Sequence, residues 1–78
     1  MPTYDNKQGA ANILLLRQKL GMSQTELARE LKTDNNHISA YERGVRKPNY
    51  DSCLRLIEIA LERGIKVDAA FLRPDKEW

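Results

Sequence analysis

A chain of 78 residues buries too little surface to support two separate cores, so residues 1–78 are expected to form one domain. Hydrophobic residues make up 41% and aromatic residues 6%, which allows a packed aliphatic core and argues against a large cofactor pocket walled by rings. The net charge of +2 is too small to name a partner, so its distribution matters more than its sum.

The segment Met1 to Asn6 has neither a basic start nor a long apolar stretch, and the run Ile13-Leu14-Leu15-Leu16 is far too short to cross a bilayer. Residues 1–8 are expected to be a flexible N-terminus, and the protein is expected to be cytoplasmic with no membrane partner. Ala10, Ile13, Leu14 and Leu20 follow helical spacing, and Gly21 stands where such a helix stops in the left-handed conformation. Ser23 then opens a second helix as N-cap. Glu26, three residues on, completes a capping box, and Leu27, Ala28 and Leu31 continue the apolar face.

Lys32-Thr33-Asp34 interrupts the pattern with residues suited to a turn or cap, after which Ile38 and Tyr41 define a short third helix ending at Gly44. Arg43, Arg46 and Lys47 cluster at and beyond that end, whereas Glu58, Glu62, Asp68, Asp75 and Glu77 fall in the last third of the chain. Pro48 marks a loop, and Leu54, Ile57, Ala60 and Leu61 trace a fourth helix closed by Gly64. Leu15, Leu16, Leu56 and Ile59 widen the apolar stripes. Either burial beneath the C-terminal segment or a contact between subunits accounts for them. Asp68 to Leu72 reads as a last short turn capped by Asp68 and stopped by Pro74, with residues 74–78 as a tail. The fold class expected is all-α, a compact bundle of four to five short helices containing a helix-turn-helix.

Cys53 is the single cysteine; it cannot form a disulfide within the chain and reads as a small buried hydrophobe rather than a reactive thiol. His37 has no second His or Cys at ligand spacing, so neither a metal nor a cofactor is expected. No Ser/His/Asp or Cys/His arrangement is present, which disfavours an enzyme.

The stretch from Gln24 to Glu42 is a helix pair joined by a tight turn, with Ala28 small enough for the helices to cross and Leu27, Leu31, Ile38 and Tyr41 facing the crossing. Leu20-Gly21-Met22-Ser23-Gln24-Thr25-Glu26-Leu27-Ala28, then Ile38, then Tyr41-Glu42-Arg43-Gly44 and Lys47-Pro48 resemble the Cro and repressor type of helix-turn-helix regulators of phages, prophages and bacteria. The resemblance covers roughly residues 9 to 63. It implies a transcriptional regulator, a repressor like the small Cro proteins, that binds double-stranded DNA as a homodimer on a palindromic operator. The ending Val67 to Asp75 is similar to the tail of small members of that group.

Carried over by position, Asn35 and Asn36 match the first residues of the helix that enters the major groove, and Ser39 and Ala40 follow one turn later. An Asn amide can pair with the N6 and N7 edge of adenine, a hydroxyl with either kind of base, and an alanine methyl with that of thymine. Asn35 reads equally well as an N-cap. The resemblance gives Ser23, Gln24, Arg43, Arg46 and Lys47 to phosphate contacts, with Thr33 and His37 flanking the surface in reach of phosphate or a base. Arg17 and Glu42 match a structural salt bridge. Lys32 departs from the group, occupying a turn position where glycine is usual, and this predicts an altered turn. A second reading, an antitoxin-type module that holds a protein partner and regulates its own gene, uses the same fold.

Overall fold

The helix boundaries follow from local chemistry that can be traced bond by bond in a computed structural model, which describes residues 7–74. Five helices follow one another, α1 (Lys7–Leu20), α2 (Gln24–Glu30), α3 (Asn35–Arg43), α4 (Tyr50–Glu62) and α5 (Ala69–Leu72), with no strand among the described residues. The expected all-α architecture is therefore observed. Helix α1 begins at Lys7, inside the segment 1–8 expected to be flexible; its early turns pack because Gly9 and Ala10 are small and buried. Residues 1–6 and 75–78, with most of the expected tail, lie outside the described residues.

Each helix after α1 opens on a side chain that accepts a backbone N–H left without a helical partner. Ser23 accepts from the Glu26 N–H at 3.1 Å while the Glu26 carboxylate accepts from the Ser23 N–H at 2.9 Å, the capping box expected. Asp34 accepts from the His37 N–H, Asn49 from that of Ser52, and Asp68 from that of Phe71. The cap of α3 is thus Asp34, and Asn35 is its first helical residue. Capping by Asn35 is excluded because the carboxylate one position earlier already fills the place.

The ends are as regular as the starts. Beyond α1, the Gly21 N–H reaches the Gln18 carbonyl and the Met22 N–H the Arg17 carbonyl, the paired closure that needs a left-handed residue. The same pair of bonds closes α2, where Lys32 and Thr33 donate to the carbonyls of Arg29 and Ala28. Lys32 takes the left-handed position with φ of 58°. The turn is therefore not reshaped by the missing glycine: the lysine adopts its geometry, at a cost of about 1–2 kcal/mol for a residue with a Cβ.

One core unites the helices: Ile13 and Leu16 from α1, Leu27 and Ala28 from α2, Ile38 and Tyr41 from α3, Cys53, Leu56, Ile59 and Ala60 from α4, and Leu72 from α5. One open alternative about faces is decided here and one expectation is corrected. Leu16, Leu56 and Ile59 are 1% exposed or less, so burial, not a subunit contact, accounts for them, while Leu15 remains 43% exposed. Conversely, Leu54 and Leu61 point outward at 41% and 58% exposure. The inward stripe of α4 is Cys53-Leu56-Ile59-Ala60, one residue out of step with the one expected.

Helix α1 packs against α3 and α5, α2 against α3, and α4 against α5. The Asn12 amide donates to the Phe71 carbonyl at 2.7 Å, pinning the last turn to α1. Arg55 reaches from α4 to the Glu30 carbonyl and carboxylate, both at 3.3 Å. Burial pushes the Cys53 thiol up to about 11, partly opposed by the Arg73 charge, so it stays protonated at neutral pH and behaves as the hydrophobe expected.

Candidate nucleic-acid interface

Helix α3 is amphipathic over its nine residues. With 100° between successive side chains, Ile38 and Tyr41 define the buried side, and Asn36, Ala40 and Arg43 then fall on the opposite face. Asn35 and Ser39 lie beside that stripe towards α2, and His37 lies on its other flank. Exposure agrees with this wheel: Asn35, Asn36 and Arg43 are exposed, and Ser39, Ala40 and His37 are half-buried. The four residues expected to read bases thus occupy one outward region of a single helix. That helix is held by Leu27 and Ala28 of α2, which are 1% and 3% exposed.

The groove between α2 and the start of α3 is lined by Thr25, Ala28, Arg29, Thr33, Asp34, Asn35 and Asn36. Its polar residues are tied together, since the Asn35 amide nitrogen donates to the Thr25 hydroxyl at 2.8 Å. A neighbouring cleft is lined by Lys32, Thr33, His37, Arg46 and Arg55, among others. Cations therefore flank α3 on both sides, beside the carboxylates of Glu30, Asp34 and Asp51. Arg43 and Arg46 are exposed, and the Arg43 guanidinium donates back to the Ser39 carbonyl at 3.3 Å. Lys47 is half-buried.

Asp34 is an acidic group at the start of the candidate surface. The His37 backbone N–H, and then the His37 side chain, hold its carboxyl below the usual carboxylate value; His37 Nδ1 lies 3.0 Å from the Asp34 carboxylate. A depressed folded-state value means that its capping contribution is present at neutral pH and lost as pH falls through that value. Glu26 is lowered by its bonds to Ser23, with the same sign.

Several expected phosphate contacts also serve the fold. The Ser23 hydroxyl oxygen is the α2 cap. The Gln24 amide donates to the Glu42 carboxylate at 2.9 Å, leaving its second N–H and its carbonyl oxygen for other partners. Glu42 is the centre of a network: Arg17 Nε donates to Oε2 at 2.5 Å and Arg17 Nη2 to Oε1 at 3.2 Å. Arg17 Nη1 donates in addition to the Met22 carbonyl at 2.9 Å. The side chains are 18% and 7% exposed, so this is a largely buried pair joining the end of α1 to the end of α3, with the start of α2 attached.

Reading the sequence missed Thr25 and Arg29. They share one face of α2 at a spacing of four, a signal visible in the sequence, yet which helix that face meets is visible only once the turn has folded. Among the described residues no group of three or more His, Cys, Asp or Glu side chains is placed to hold a metal ion. Among the same described residues no helix is long and apolar enough to cross a membrane.

A family model described as helix-turn-helix matches residues 13–59. Over 40 residues the chain is 48% identical to the HTH-type transcriptional regulator ImmR of Bacillus subtilis (strain 168), a match covering 51% of this chain. The aligned stretch is 32% of that relative's length. The family match includes α2, the turn and α3, the elements that carry the outward stripe.

Proposed function

The chain belongs to the helix-turn-helix family, and from that membership we propose that it is a non-enzymatic transcriptional regulator that binds double-stranded DNA with α3 in the major groove. The observation that carries this is the outward stripe of Asn36, Ala40 and Arg43 on a helix whose opposite side is locked into the core. Asn35, Asn36, Ser39 and Ala40 read bases. Arg43, Arg46 and Lys47 hold phosphates and fix register, Thr33 and His37 contact the backbone beside them, and Ser23 and Gln24 offer the groups the fold leaves over. The similarity to a regulator by name supports this reading, and the resemblance to Cro-type proteins favours repression.

A reading helix this short contacts only a few base pairs, so a homodimer on a palindromic operator follows, with half-sites about 10 base pairs apart, centre to centre. A cytoplasmic location accords with the role.

Selection of bound duplexes from a random pool, followed by titrations, tests the proposal. Asn36→Ala should lose discrimination at one base position by about 1–3 kcal/mol. Arg46→Ala and Lys47→Ala should weaken binding to every sequence and reduce the salt slope by about one unit each. A uniform loss on all duplexes for Asn36→Ala would remove its reading role, and a pool with no preferred sequence would end the proposal.

A further inference from the structure

We propose that Thr25 is a specificity-determining residue that acts through Asn35, turning its amide so that the oxygen edge faces the DNA. This rests on the reading of α3 given above. The two halves of an Asn side chain are nearly equal in shape and opposite in hydrogen-bonding sense, so an unrestrained Asn at a helix start presents either a donor or an acceptor to a base. A base-reading Asn therefore needs a partner that fixes the amide. Asn35 is exposed at the first position of α3, and among the described residues its side-chain amide donates to the Thr25 hydroxyl, 2.8 Å from Nδ2.

Thr25 suits the role because, although exposed, its backbone is held at the capped start of α2. It lies between Ser23 and Glu26 of the capping box, two residues before the buried Leu27. Its β-branched side chain has few rotamers. When the N–H that points away from Oδ1 is the one given to Thr25, the N–H on the oxygen's side and Oδ1 remain as an adjacent donor–acceptor pair along the opposite edge of the amide. That pair matches the N7 acceptor and N6 donor of adenine. Guanine presents two acceptors there and would face the amide oxygen with a lone pair. Thr25 thus biases the base opposite Asn35 towards adenine without touching it.

The test measures the binding of wild-type and variant proteins to duplexes carrying each of the four bases at every operator position. Asn35→Ala identifies the position that Asn35 reads. Thr25→Val, which keeps the shape and removes the hydroxyl, should reduce the adenine preference at that position roughly five- to tenfold, leave the other positions unchanged, and melt like the wild type. Thr25→Ser should retain the preference, and Thr25→Val should add nothing to Asn35→Ala. If Asn35→Ala erases a preference that Thr25→Val leaves intact, or if Thr25→Val lowers affinity equally for all bases, the positioning role is wrong while the reading by α3 stands. If Asn35→Ala alters no position, the role is equally overturned; if Asn36→Ala also alters none, the reading by α3 falls with it.

Discussion

Glu42→Ala should destabilise the domain by about 3–5 kcal/mol, the range for removing one partner of a buried ion pair. The Glu42 side chain is 7% exposed and that of Arg17 18%, so the orphaned guanidinium has little access to water. The carboxylate also accepts from Gln24, and losing it frees three helix ends together. A domain of 78 residues has a total stability of roughly 4–12 kcal/mol at typical values per residue. The variant should therefore be partly unfolded near body temperature, with the melting point lowered by about 4–8 °C for each kcal/mol lost. The double change Arg17→Met with Glu42→Leu should recover most of this loss, because it removes the desolvated charges together. Urea titrations followed by circular dichroism check both. A Glu42→Ala protein within 1 kcal/mol of wild type would mean that the pair behaves like an exposed one.

Ile38→Ala should cost about 2–5 kcal/mol through lost burial and the cavity left behind. Ile38 is fully buried on the underside of α3, in the same cluster as Leu27 and Ala28, so the cavity opens where the reading helix meets α2. Loss of DNA affinity should follow from the unfolded fraction. Saturating operator DNA should then restore part of the stability, about 2.7 kcal/mol at a concentration one hundred times Kd. Asn36→Ala separates the two kinds of effect: it lies on the exposed face of the same helix and should change melting by no more than about 0.5 kcal/mol. If Ile38→Ala melted like wild type, α3 would not be anchored as described.

Much of this architecture is legible before folding because it is local. The Ser23-Glu26 box, the Asp68 cap and the glycines after α1 and α3 depend on residues no more than a few positions apart. What escaped the sequence depends on which helix lies opposite. Helix α4 carries apolar residues at 53, 54, 56, 57, 59, 60 and 61, so two overlapping stripes share helical spacing, and only the positions of the neighbouring helices decide which is buried. The choice of Asp34 over Asn35 as cap turns on a single residue of register, because both side chains are competent. Gln24 and Glu42 stand 18 residues apart, and Thr25 and Asn35 stand 10 apart. Each pair forms only when the turn at Lys32 brings α2 against α3. The Arg17–Glu42 pair, separated by 25 residues, is implied by the family resemblance, and its depth of burial is set by the fold.

The most direct measurement is an NMR titration of isotopically labelled protein with its selected duplex. Saturation should shift the backbone amides of residues 33–40 and 43–47 together with the side-chain amide signals of Asn35 and Asn36, with the outer face of α4 at Leu54 and Leu61 unchanged. Shifts centred on that outer face, with the α3 signals unmoved, would show that some other surface meets the DNA.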